Sequence, residues 1–171
     1  RGQAGIDGTI ATAVGIALGL GAFAHRDEAS ASRSARRGKH MDPDCESRVT
    51  AVMGDLTLSH DASSLALAAA AGTDLDIIVA DDEGGGIFAT LEHGRAATPQ
   101  TYDRWFGVAQ AVNYEALAAA YGVGFARAYA PSELASILCA PVTGPRLIHA
   151  PVKRAAHLYA QARNALCEAG F

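Results

Sequence analysis

From Val49 to Glu168 the chain repeats one pattern: a short run of β-branched and other apolar residues, then a longer stretch rich in Ala and Leu. The runs 49–53, 75–80, 124–127 and 146–150 have the length and composition of strands, and 62–71, 114–121, 131–138 and 152–168 carry helical spacing. Strands separated by helices cannot pair as hairpins. Each crossover returns the chain in the same direction, so the pattern predicts an α/β fold with a parallel sheet and helices on both faces. Pro131 suits a helix start, and Gly122 and Gly170 suit left-handed caps behind helices.

Ahead of this alternation, Asp7 or Thr9 can cap a helix over 10–23. The apolar stretch Ile10 to Ala24 is too short for a membrane span, which needs about 20 apolar residues. Its glycines at 15, 19 and 21, with Thr9 and Thr12, suit a helix buried on several sides against a sheet. Residues 25–47, HRDEASASRSARRGKHMDPDCES, then offer almost no large apolar side chain and read as a mobile surface insertion. The basic stretch Arg33 to Lys39 within it reads as a solvated loop.

With 171 residues, 50% of them apolar and 19% charged, the chain has material for one core and one domain, 1–171, without disulfides. Its net charge of −4 offers no general attraction to nucleic acid or anionic lipid. Cys45, Cys139 and Cys167 lack the paired spacing of a zinc site or a disulfide framework and fit a reducing cytoplasm. The first residue is Arg, and Arg1 to Gly8 reads as a functional turn, so the sequence is expected to be a fragment of a longer chain.

In open α/β sheets, ligands gather beyond the carboxyl ends of the strands. Two strand ends there are acidic: Gly54-Asp55-Leu56, and Asp81-Asp82-Glu83-Gly84-Gly85-Gly86-Ile87-Phe88. Asp55 and Asp82 are 27 positions apart, room for one crossover helix, so adjacent parallel strands can deliver both carboxylates to one volume. Mg²⁺ takes about six oxygens and usually shares its shell with phosphate and water, which makes a diphosphate the natural third party. The glycines at 84–86 let the main chain approach such a ligand. Taken singly, each Asp also reads as a helix cap and the Gly triplet as a flexible turn.

Gly54-Asp55-Leu56, the upstream Arg1-Gly2-Gln3-Ala4-Gly5-Ile6-Asp7-Gly8 and the downstream Gly84-Gly85-Gly86-Ile87-Phe88 occur in the order found in one family of thiamine diphosphate enzymes. Over nearly its whole length the chain resembles the MenD family, 2-succinyl-5-enolpyruvyl-6-hydroxy-3-cyclohexene-1-carboxylate synthase of menaquinone biosynthesis. The likeness weakens over 25–47 and toward the C-terminus.

This resemblance implies a thiamine diphosphate-binding domain in which Asp55 and Asp82 ligate Mg²⁺ or Mn²⁺ by side chain and Gly84 by its carbonyl. Gly54, Leu56 and Gly85 would contact the cofactor. Ile6 would be the stiff apolar wedge beneath it, and Arg1 would meet a substrate carboxylate through its guanidinium fork. Ile87, Phe88 and Leu91 would line the substrate pocket, although plain core packing also accounts for these three.

The reaction so implied is decarboxylation of 2-oxoglutarate and addition of the resulting four-carbon carbanion to isochorismate. An activating glutamate would come from the N-terminal pyrimidine-binding domain of a second subunit, in a homodimer or homotetramer, and the 171 residues alone would be inactive. Two departures stand out: Asp82, where many thiamine diphosphate enzymes carry Asn, and Glu83, where relatives carry a neutral amide and which is expected to face away from the metal. His60, Asp61, His93 and His149 read as surface or capping residues. The alternatives are another 2-oxo acid decarboxylase or an acetolactate synthase-like enzyme, and a noncatalytic nucleotide-binding module on the same sheet edge.

Overall fold

The structure, a computed structural model, describes residues 5–28, 48–141, 143–154, 161 and 165. Its centre is a four-stranded sheet of β1 (Val49–Gly54), β2 (Leu75–Asp81), β3 (Gly124–Arg127) and β4 (Arg146–Pro151), in the order β1-β2-β4-β3. All three pairings are parallel, as the strand–helix alternation requires. β2 and β4 occupy the middle and are buried on both faces. Leu75, Ile77, Val79 and Leu147 join one core cluster, while Ile78 and Ile148 on the opposite face are buried as well.

The core cluster is closed by α1 (Thr9–Glu28), α2 (Asp55–Asp61), α3 (Ser64–Ala71) and α6 (Tyr114–Tyr121), through Ile10, Val14, Leu58, Leu65, Ala68 and Ala118. Between β2 and α6 the chain makes a 3-10 turn (Gly86–Thr90), the short helices α4 (Glu92–Ala96) and α5 (Pro99–Tyr102), and a π turn (Asp103–Gly107). α7 (Pro131–Cys139) leads to β4 and begins on the expected proline. Gly122 closes α6 in the left-handed conformation at φ 69°.

Three expectations are corrected. α1 is not buried on several sides: Ile10, Ala13 and Val14 are buried, but Ile16, Leu18 and Leu20 are about half exposed. A Cβ added at Gly15, Gly19 or Gly21 would meet nothing within 4 Å, so these glycines serve no close packing against the sheet. The reason is length. A helix of 20 residues runs about 30 Å, whereas a strand of 6 spans roughly 20 Å, so α1 outruns the layer it packs on.

Second, the helix expected over 62–71 is preceded by another over 55–61, because β1 passes into α2 with no loop between them, and α3 then begins at Ser64. Third, Val152 to Arg154 are not helical. The Val152 amide instead donates to the Asp81 carbonyl at 2.8 Å, continuing the ladder of β4 on β2. The remainder of the expected final helix, with Gly170, lies outside the described residues apart from helical positions 161 and 165. So do 29–47 of the expected insertion, while 25–28 belong to α1.

The start of α1 is capped from 50 residues away in sequence. Asp61, at the end of α2, accepts the amides of Ile10 at 2.6 Å and Ala11 at 3.2 Å through Oδ2, and the Ser64 hydroxyl at 2.6 Å through Oδ1. Asp61→Ala is expected to cost about 2 kcal/mol, combining a lost cap with a buried amide left unsatisfied. Urea midpoints would show this, with Asp61→Asn, which keeps one acceptor oxygen, losing less.

The amino edge of the sheet holds an ion cluster. Asp76 on β2 is 1% exposed and accepts from Arg146 Nε at 2.8 Å and Nη2 at 3.0 Å, and from Arg48 Nη2 at 3.0 Å. Arg48 also reaches Asp74 and the Gly144 carbonyl. Burial alone would raise the Asp76 pKa, but the hydrogen bonds and charges of Arg48 and Arg146 outweigh it and hold the carboxyl below its ordinary 3.8. Among the described residues no helix is long and apolar enough to cross a membrane.

Candidate functional site

At the carboxyl edge, the register that pairs Gly54 with Ala80 brings Asp55 level with Asp81, and Asp82 follows directly. Asp55 is the first residue of α2 and is 1% exposed. Its Oδ1 accepts the Leu56 amide at 2.8 Å, while its buried Oδ2 has no hydrogen-bond partner among the described residues. Burial pushes the Asp55 pKa up, the Leu56 amide draws it back, the carboxylates of Asp81 and Asp82 push it up again, and the nearby Gly84 amide offsets a little of that. A buried acceptor without a well-aligned donor is costly, and this one sits in negative surroundings that a cation would relieve.

The turn after β2 is fixed by close contacts. Asp81 Oδ1 accepts the Glu83 amide at 3.0 Å, holding Glu83 at φ 63°, a conformation unusual for a residue with a Cβ. Gly84 has φ 117°, and a Cβ there would fall 1.8 Å from the Gly107 carbonyl oxygen. At Gly85 a Cβ would fall 2.1 Å from the Phe106 oxygen. The Gly85 amide donates to that Gly107 oxygen at 2.6 Å, and the Tyr102 hydroxyl donates to the Gly85 carbonyl at 2.8 Å. These glycines are therefore required by the approach of the π turn, and the triplet is not a merely flexible connection.

Gly54 differs. A Cβ there would come no closer than 4.0 Å to the Ala80 oxygen, so packing does not demand glycine. Among the described residues no three His, Cys, Asp or Glu side chains converge to hold a metal. A cation at this edge would draw on two carboxylates, main-chain oxygen and oxygens from outside the protein.

Around this turn the structure sets residues that the sequence reading did not assign to the site. His149 on β4 is buried, neither surface nor cap, and its Nδ1 accepts from Arg127 Nε at 3.2 Å. Arginine is always a donor, so the proton of a neutral ring sits on Nε2, which donates to Asp81 Oδ2 at 2.9 Å. Tyr114 stacks on His149 with centroids 4.2 Å apart. Its enclosed hydroxyl meets no partner of good geometry among the described residues. Burial first, then the charges of Asp81 and Asp55, raise its pKa above the ordinary tyrosine range.

Beyond the turn, Phe88 joins an aromatic group in which His93 and Phe106 lie 5.0 Å apart and Tyr102 and Phe106 5.9 Å. Phe88 is 37% exposed, and Ile87 and Leu91 are more open still, so none of the three is core. Glu83 is exposed, as are His60 and His93. Ile6 is exposed just ahead of α1, its carbonyl accepting from the Thr9 hydroxyl. Arg1 lies outside the described residues, as do Arg33 to Lys39, Cys45 and Cys167, while Cys139 is an exposed free thiol.

The family described as thiamine pyrophosphate enzyme, C-terminal TPP binding domain, matches residues 3–150. The chain belongs to that family. The expected resemblance to one branch of it is borne out: the chain is 39% identical over 159 residues to 2-succinyl-5-enolpyruvyl-6-hydroxy-3-cyclohexene-1-carboxylate synthase of Paenarthrobacter aurescens, covering 90% of this chain and 24% of the relative. It is 41% identical over 138 residues to the synthase of the same name from Corynebacterium diphtheriae, covering 81% and 24%. The TPP-binding domain thus spans about a quarter of the length of the curated relatives it matches. Benzoylformate decarboxylase from Polynucleobacter necessarius shares the fold, with a TM-score of 0.58 at 20% identity over 85% of this chain and 23% of that one. A putative thiamin diphosphate-dependent enzyme from Mycobacterium smegmatis does so at a TM-score of 0.52 and 20% identity, over 84% and 22%.

Signals for the missed residues were weak. Asp81 was visible beside Asp82, but nothing in a linear sequence ties it to His149, 68 positions away on a strand that becomes its neighbour only in the fold. Tyr114 was expected only as the first residue of a helix.

Proposed function

We propose that the carboxyl edge of β1 and β2 binds thiamine diphosphate through Mg²⁺ or Mn²⁺, with Asp55 and Asp82 ligating by side chain and Gly84 by its carbonyl. The observation that carries this reading is the enclosed Oδ2 of Asp55, which lacks a well-aligned donor among the described residues and lies beside Asp81 and Asp82. The donor set fits the ion: hard oxygens, too few to complete a shell, at an edge where phosphate oxygens can supply the rest. The absence of close packing on Gly54 among the described residues suits a cofactor ring lying on the backbone of Gly54 and Leu56.

When bound, thiamine diphosphate supplies the carbanion stabilisation that decarboxylation of a 2-oxo acid needs. The chain's own part is to anchor and orient. Asp55 and the turn at 82–85 fix the diphosphate end, Ile6 supports the cofactor, and Ile87, Phe88 and Leu91 offer apolar surface that excludes water from the reacting carbon. Arg1 pairs with a substrate carboxylate.

The relatives' shared name supports the finer assignment: the protein condenses 2-oxoglutarate, after loss of carbon dioxide, with isochorismate in menaquinone biosynthesis. It does so in the cytoplasm as a homo-oligomer, with a pyrimidine-binding domain of a second subunit completing the site. Full-length protein, loaded with Mg²⁺ and thiamine diphosphate, is expected to release carbon dioxide from 2-oxoglutarate and form the condensed product only when isochorismate is present. Preference for pyruvate or benzoylformate would sink the substrate assignment, and metal-independent binding of NAD would sink the cofactor assignment.

A further inference from the structure

Among the described residues, the carbonyls of the turn after β2 differ in what engages them. The Asp81 oxygen accepts the Val152 amide, and the Gly85 oxygen accepts the Phe88 amide and the Tyr102 hydroxyl. The oxygens of Asp82 and Glu83 both accept from a single side chain, Arg154, through Nε at 3.1 Å and through Nη2 respectively. The Gly84 oxygen, by contrast, is engaged by no side chain among the described residues and accepts the short-range bond from the Gly86 amide at 3.0 Å. Each carbonyl oxygen has two lone pairs, so what separates these three oxygens is approach: a guanidinium lies against those of Asp82 and Glu83 and not against that of Gly84.

Arg154 is itself held in place. Its Nη1 lies 3.5 Å from Asp103 Oδ1 on the π turn, and its guanidinium carbon lies 6.0 Å from the Tyr102 ring centroid. The same π turn packs on Gly84 and Gly85 through the oxygens of Gly107 and Phe106. A Cβ at Gly86 would come within 1.8 Å of Asp82 Oδ2 and 3.3 Å of Arg154 Cγ, so the arginine stem and the Asp82 carboxylate flank the same glycine.

We infer that Arg154 is a positioning residue for the cation site: it withdraws the Asp82 and Glu83 carbonyls, leaves the Gly84 carbonyl as the main-chain ligand, and places a fixed positive charge beside the extra negative charge that Asp82 brings. This rests on the metal-site reading above. The task needs a fork of two N–H donors aimed at successive carbonyls, which a guanidinium provides and an ammonium point charge does not.

The test is a Mg²⁺ titration of thiamine diphosphate binding to the full-length protein, followed by calorimetry, with thermal unfolding of the cofactor-free protein alongside. Arg154→Gln is expected to raise the Mg²⁺ needed for half-saturation about tenfold, the scale of losing an outer-shell partner. Arg154→Lys is expected to restore little of it, and cofactor-free unfolding is expected to stay near wild type. Should Arg154→Gln not fold, Asp103→Asn, which loosens only the outer anchor, is expected to shift the same midpoint about twofold.

An unchanged Mg²⁺ midpoint in these variants, or full rescue by lysine, overturns the inference while leaving the metal site standing. Wild-type protein that binds thiamine diphosphate equally well without Mg²⁺ overturns both.

Discussion

Asparagine in place of Asp55 is expected to lower thiamine diphosphate affinity on the order of 100-fold or more at fixed Mg²⁺, without destabilising the cofactor-free protein. The two halves of this expectation come from the two oxygens of one carboxylate. Oδ1 accepts the Leu56 amide, and an amide oxygen can do the same. Oδ2 is buried without a well-aligned donor among the described residues, and the charge it shares is repelled by Asp81 and Asp82. Neutralising it removes a ligand from the cation and an unfavourable charge from the fold at once. Calorimetric binding and urea denaturation of wild-type and variant full-length protein would separate these effects. A fall in stability that matches the fall in affinity would mean that Asp55 is structural and the site assignment is wrong.

Asp76 should behave in the opposite way, contributing stability and nothing to cofactor binding. It lies at the other edge of the sheet, buried between Arg48 and Arg146. Asp76→Ala leaves those cations without their shared carboxylate and is expected to cost about 3–5 kcal/mol, as for other broken buried pairs. The sign with pH follows from the depressed folded pKa. The contribution is complete above the ordinary value of 3.8 and disappears as pH falls through the lower folded value. Acid unfolding followed by circular dichroism should therefore show wild type losing its advantage over the variant only in strong acid. An advantage already gone at neutral pH would refute the ion-pair account.

How far the sequence could be read depended on the range over which each residue acts. The strands and α6 were legible because β-branched runs and an alanine-rich stretch closed by Gly122 express local preferences. Asp55 and Asp82 were legible as a pair because a parallel crossover sends successive strands to the same edge. α1 misled because its apolar composition is continuous while its burial is not: composition does not reveal where a long helix passes beyond the sheet. Arg154 was hidden inside what reads as the first turn of a helix, and its role appears only once β4 lies against β2. The same holds for Asp61, whose cap is delivered to an element that precedes it by two segments.

The strand order also has a consequence for how this domain comes to be folded. Among the described residues β3 pairs only with β4, and β4, the last of the described strands, inserts between β2 and β3. All three proposed metal ligands have been synthesised long before the strand that holds His149, or Arg154 just beyond it, whose bond to the Asp82 carbonyl spans 72 positions. Non-local pairing of this kind is slow to form. The cofactor edge should then mature together with closure of the whole sheet, so that a ligand bound there would protect backbone amides across β1, β2 and β4 and not the turn alone.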